Sequence, residues 1–136
     1  MPSNVYKNMN PSELLVIFRD QLLLFTDELL EIFQNEPKLI LIRVYIENNL
    51  VVEDAVIKFA KALNGPSNLD QMIKKRNEEF FLNYDMMKLN NSADTDSANF
   101  MLQLWKDDRL EDDDKTTIWS WVDLFVNIAQ SYVSKK

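Results

Sequence analysis

Residues 10–33 read NPSELLVIFRDQLLLFTDELLEIF, and this stretch decides the fold. Asn10 suits a helix cap, Pro11 suits the first helical position, and Glu13 stands where a capping box needs an acid. From there Leu14, Phe18, Leu22, Phe25, Leu29 and Phe33 recur at three and four, with Leu15, Leu30 and Ile32 widening the stripe. That spacing predicts a long helix buried against more than one neighbour.

The same period continues outward. Pro37 closes the first helix and opens a second, because proline fits a first turn and disfavours helix in the residue before it. Leu39 to Ile46 is rich in β-branched residues, but the chain offers no partner strand, so it too reads as helix. Asn48-Asn49 marks a break. A third segment, Val51 to Leu63, places Val52, Ala55, Val56, Phe59 and Leu63 on one side. It ends at Asn64-Gly65-Pro66, where Gly65 is expected to take the left-handed conformation and Pro66 to stop the helix.

Ser67 or Asn68 can cap a fourth helix through Leu69, Met72, Ile73, Phe80 and Phe81, fraying near Asn83, with Met86-Met87 as flexible core filler. A short fifth helix, Ala98 to Lys106, would turn Phe100, Met101, Leu104 and Trp105 inward. A sixth runs from about Asp113 to Val133 on the stripe Ile118, Val122, Phe125, Ala129 and Tyr132. Trp119, Trp121, Leu124 and Ile128 spread apolar surface around the rest of it. The expectation is an all-α fold, a compact bundle of five to six helices with the first and last at its centre. It is read as one domain over 1–136, with 1–9 a flexible N-terminus and 83–97 and 107–113 exposed loops.

Composition bounds the chemistry. The 136 residues are 46% hydrophobic and 27% charged, which is globular rather than disordered. There is no histidine, no cysteine and a single glycine, Gly65. The usual zinc sites, a cysteine nucleophile, a Ser-His-Asp triad, a Cys-ligated iron–sulfur cluster and a disulfide are therefore excluded within the chain. One glycine cannot build a phosphate-binding P-loop or a GxGxxG turn. The start Met1-Pro2-Ser3-Asn4 lacks the basic and apolar regions of a signal peptide, and no apolar run approaches the length of a membrane span. An intracellular setting without a membrane span is the expectation.

Of the net charge of −7, the run Asp107-Asp108-Arg109-Leu110-Glu111-Asp112-Asp113-Asp114 contributes −5, leaving −2 for the other 128 residues. Without a glycine the run does not fit an EF-hand loop, and its last aspartates suit the positive N-terminus of the final helix. Lys74-Lys75-Arg76 is the only run of three bases, and Glu78-Glu79 follow at helical spacing to pair with it. Direct nucleic-acid binding is not expected. Carboxylate pairs alone do not identify a hydrolase, and neither a catalytic residue, a metal site nor a cofactor is assigned.

Three stretches together resemble a known group. They are the Phe18–Phe33 helix followed closely by Pro37, the tract Arg76-Asn77-Glu78-Glu79-Phe80-Phe81, and Asp114-Lys115-Thr116-Thr117-Ile118-Trp119-Ser120-Trp121-Val122. The arrangement resembles small helical proteins of large nucleocytoplasmic DNA viruses of algae and protists. Those often carry a Phe-Pro near the end of the first helix, an acidic-Phe-Phe tract and a closing Lys-x-x-Ile-Trp-x-Tyr-Leu helix. This chain departs where Gln34 follows Phe33 and where Trp121-Val122 replace the aromatic–Leu pair. The resemblance implies a viral origin and an infected-cell or virion location, and it brings no catalytic residues.

The functional expectation is a non-catalytic protein-interaction module, a viral structural or virus-factory component on that resemblance. Trp119 and Trp121 lie two residues apart and point in different directions, so whichever is exposed is an anchor for a protein partner. The alternative is an acidic regulator or decoy of a basic, nucleic-acid-binding partner, acting through Asp107, Asp108, Glu111, Asp112 and Asp113. Self-association is compatible with either.

Overall fold

Asn10 and Glu13 form the capping box in both directions: Glu13 N–H donates to Asn10 Oδ1 at 2.8 Å, and Asn10 N–H donates to Glu13 Oε1 at 3.0 Å. The computed structural model describes residues 6, 8–65, 69–77 and 103–135. Helix α1 is Pro11–Ile32, α2 is Pro37–Asn48, α3 is Val52–Leu63, α4 is Leu69–Lys74 and α5 is Asp112–Ser134. Residues 103–105 are also helical, and no strand occurs among the described residues. The fold is all-α. Helices α2 and α3 and the long last helix stand where the apolar period places them, and the β-branched tract at Leu39 to Ile46 is helical.

The chain divides into two compact units. One comprises residues Met1–Ala60 and Leu124–Lys136, the other Lys61–Asp123. Helices α3 and α5 each carry the chain from one unit to the other.

In the first unit, α1 and the C-terminal part of α5 pack through their aromatic rings. Phe125 lies 5.2 Å from Phe18 and 5.9 Å from Phe25, centroid to centroid, both tilted towards the edge-to-face arrangement that aromatic quadrupoles favour. Leu14, Phe18, Leu29 and Phe33 of the expected stripe are buried, together with Leu39, Ile46, Val56, Ile128, Ala129 and Tyr132. Each buried Leu, Ile, Val or Phe among them contributes about 1.5–3 kcal/mol on leaving water. The buried Thr26 donates its hydroxyl to Leu22 O at 2.8 Å and so is satisfied within its own helix.

Helix α1 ends on backbone bonds, Phe33 N–H to Leu29 O, and Asn35 turns the chain with a φ of 63°. Asn tolerates that left-handed conformation better than most residues. Helix α2 then returns antiparallel beside α1. Arg43 Nε donates to Asp27 Oδ1 at 2.5 Å, and Arg19 reaches across to donate to Glu47 O at 2.7 Å. The last turn of α2 holds no basic residue of its own, so Arg19 supplies the positive group its terminal carbonyls attract. Across the unit, the buried Tyr132 hydroxyl on α5 donates to Glu53 Oε2 in the first turn of α3.

The second unit has a smaller core of Leu63, Leu69, Ile73, Leu104 and Leu110. Two expectations are corrected in it. Gly65 has no positive φ; its use is space, since a Cβ there would stand 3.0 Å from Lys61 O. The fourth helix, expected to run through Phe80 and Phe81, ends at Lys74. Arg76, at φ 53°, stops it: Arg76 N–H donates to Ile73 O and Asn77 N–H to Met72 O, the paired bonds of a Schellman turn. Pro66, Ser67 and Asn68, the tract from Glu78 to Leu102 with its 83–97 loop, and most of residues 1–9 lie outside the described residues.

Candidate functional site

The tryptophans expected to anchor a partner are placed by α5 and by the helical residues 103–105. Trp105, Trp119 and Trp121 are all half-buried. Trp105 and Trp119 meet edge to face, with centroids 5.7 Å apart and planes at 76°. A cation covers each ring: Arg76 Cζ lies 5.4 Å from the Trp119 centroid and Lys115 Nζ 5.3 Å from that of Trp105. At such partly exposed sites a cation over an aromatic face contributes about 0.5–1 kcal/mol. Trp119 is therefore held inside a row of four side chains within its own unit.

Arg76 is the hinge of this cluster. Its guanidinium grips Asp123 in two bonds, Nη1 to Oδ1 at 2.8 Å and Nη2 to Oδ2 at 2.5 Å, while Nη1 also donates to Ile73 O. The hydrogen bonds to Asp123 push its pKa above the ordinary arginine value, against the opposing effect of desolvation. Of the basic run, Lys74 pairs with Asp70 one turn back, and Arg76 pairs with Asp123 on α5. Glu78 and Glu79 lie outside the described residues. Trp105 Nε1 is buried and has no hydrogen-bond partner among the described residues.

The acidic run separates into two kinds of residue. Asp107 accepts from Arg109 three times, from the backbone N–H at 2.8 Å and from Nε and Nη2 at 3.0 Å each. The Arg109 side chain, and then its backbone N–H, hold the Asp107 carboxyl below the usual range. Asp114 folds back to accept from Glu111 N–H at 3.0 Å, closing the start of α5. Asp108, Glu111, Asp112 and Asp113 are exposed, and among the described residues no ion pair engages them. No group of three or more acidic side chains converges as a metal site would require, again among the described residues. None of their helices is long and apolar enough to cross a membrane.

Four of the seven exposed large apolar side chains among the described residues lie on α2, a surface not singled out from sequence. On α2, Ile40 is 50% exposed, Leu41 67%, Val44 47% and Tyr45 52%. These positions form one face, since neighbours at three and four share a side of a helix. Leu39 and Ile46 point the other way into the core. The signal was present in the composition of residues 39–46, apolar or aromatic at every position but Arg43: a helix apolar all round needs partners on more than one side. A shallow, mostly apolar hollow beside the α1 N-terminus is lined by Met9, Asn10, Ser12, Glu13, Val16 and Ile17.

No protein-family model, curated protein or solved structure matches the chain.

Proposed function

We propose that this chain is a non-catalytic protein-interaction module that binds through the outward face of α2. The observation that carries this reading is the contiguous exposure of Ile40, Leu41, Val44 and Tyr45 on one helix. Four adjacent large apolar side chains, rather than one stray leucine, mark a contact surface. Tyr45 adds a residue type favoured at contact centres. If the viral resemblance holds, such a module would act in an infected cell or a virion.

Because Leu41 and Val44 face water, Leu41→Glu and Val44→Glu are expected to keep native helicity by circular dichroism. They should abolish capture of whatever protein the natural chain retains. Trp119→Ala, placed in the Arg76 cluster, is expected to lower stability instead. Undiminished capture by both glutamate variants would remove the reading.

A second reading rests on the acidic loop. Asp108, Glu111, Asp112 and Asp113 present four carboxylates to solvent, a surface suited to steering a basic partner.

A further inference from the structure

We propose that Asn64 is a site of intramolecular modification, where the side-chain amide is lost as ammonia and the main chain is partly rerouted through an isoaspartyl link. Asn64 is the only asparagine followed by a glycine, and it stands exposed in the turn that ends α3. Asparagine is among the thermally labile residues, and the group that attacks its side chain is the backbone nitrogen of the residue after it.

Two features leave that nitrogen open at Gly65. A Cβ there would stand 3.0 Å from Lys61 O, so the turn favours a glycine, and glycine puts no side chain beside its own nitrogen. The Gly65 N–H donates to Ala62 O at 3.4 Å, longer than the usual range of about 2.7–3.2 Å. Asn48 and Asn49 provide the contrast. They too are exposed at a helix end, but the nitrogens that follow them, of Asn49 and Leu50, donate to Tyr45 O at 2.8 and 2.9 Å and belong to residues with side chains.

The step balances with water alone. A base in solution takes the Gly65 amide proton, the nitrogen bonds to Asn64 Cγ, and the Cγ–Nδ2 bond breaks, the departing nitrogen taking up a proton to leave as ammonia. The product is a cyclic imide, and water then adds to one of its two carbonyls. Opening on the Cγ side leaves an aspartyl residue, whereas opening on the backbone side leaves an isoaspartyl residue with one more carbon in the main chain. Either product adds a carboxylate and takes the net charge from −7 to −8. The new charge lies at the negative end of the α3 dipole, beyond Lys61 in its last turn.

The full chain, folded in neutral buffer at physiological temperature, is followed over weeks beside the same chain in guanidinium chloride. Isoelectric focusing reads the charge, and mapping of the tryptic peptide of residues 62–74 reads Asn64 and Asn68 together. In the folded chain Asn64 is expected to convert roughly an order of magnitude faster than Asn68, Asn48 or Asn49, giving both aspartyl and isoaspartyl forms, at a rate within a few-fold of that in denaturant. Asn64→Gln, whose longer side chain must close a larger ring, is expected to remove the acidic form and keep native helicity. If Asn64 keeps its amide while folded and converts only in denaturant, the turn shields it and the inference falls. It falls equally if Asn64 converts no faster than Asn68, if the aspartyl form alone appears, or if the acidic form persists in Asn64→Gln.

Discussion

Arg76 combines a costly backbone with a well-held side chain. A residue with a Cβ in the left-handed conformation costs about 1–2 kcal/mol, which is why glycine usually occupies this place after a helix. Here the side chain offsets the strain by gripping Asp123 and covering Trp119. Both ionic partners are more than a third exposed, so solvent screening limits the pair to about 1 kcal/mol or less. Two substitutions separate the effects. Arg76→Ala loses the side-chain contacts and keeps the strain, whereas Arg76→Gly loses the same contacts and relieves it. Urea denaturation is expected to find the glycine variant more stable than the alanine variant by about 1 kcal/mol. Equal stabilities would mean that the turn is not strained. The sequence offered no sign of this role, because Lys74-Lys75-Arg76 reads as an ordinary basic helix face and Asp123 lies 47 positions away.

At the scale of elements, the helices were legible wherever a local rule acts. The Asn10–Glu13 box, Pro37 at a first turn and the three-and-four spacing on α1 and α5 each need only neighbouring residues. The end of α4 was misplaced because an arginine, rather than a glycine, occupies the turn. Gly65 was misassigned for the converse reason: crowding against Lys61 O is a matter of three-dimensional proximity that composition does not encode. The turn before α5 shows its design in its titration. Arg109 lowers the Asp107 pKa in the folded chain, so the clasp contributes stability above the unfolded aspartate value of about 3.9 and loses it as pH falls through the lower folded value. Carboxyl carbon NMR is expected to show Asp107 titrating below the ordinary aspartate range. Arg109→Gln should return most of that shift, though not all, since the backbone N–H at 109 still donates. A midpoint unchanged by Arg109→Gln would mean that the clasp does not form in solution.

For the molecule as a whole, the net charge of −7 has two components with different meanings. Asp107 and Asp114 are spent on local structure, whereas Asp108, Glu111, Asp112 and Asp113 face solvent. Converting those four to their amides takes the charge to −3. Under the second reading this variant is expected to lose retention of a basic protein while keeping its helices, and undiminished retention at low salt would remove that reading. The division of the chain into two units was not legible, because periodicity reports which face of a helix is apolar and not which helix covers it. For the same reason the exposed side of α2 escaped notice: with Leu39 to Ile42 all apolar, nothing in the residues distinguishes the covered face from the bare one.

The dependence of α2 on α1 has an immunochemical consequence. Glu36 supplies no side-chain cap at its start, its last turn has no basic residue, and Arg19 of α1 closes its far end. A twelve-residue segment with those ends does not hold a helix alone in water. The outward face of α2 is thus a conformational epitope: antibodies raised against a linear peptide of residues 37–48 would recognise the denatured chain and pass over the folded one.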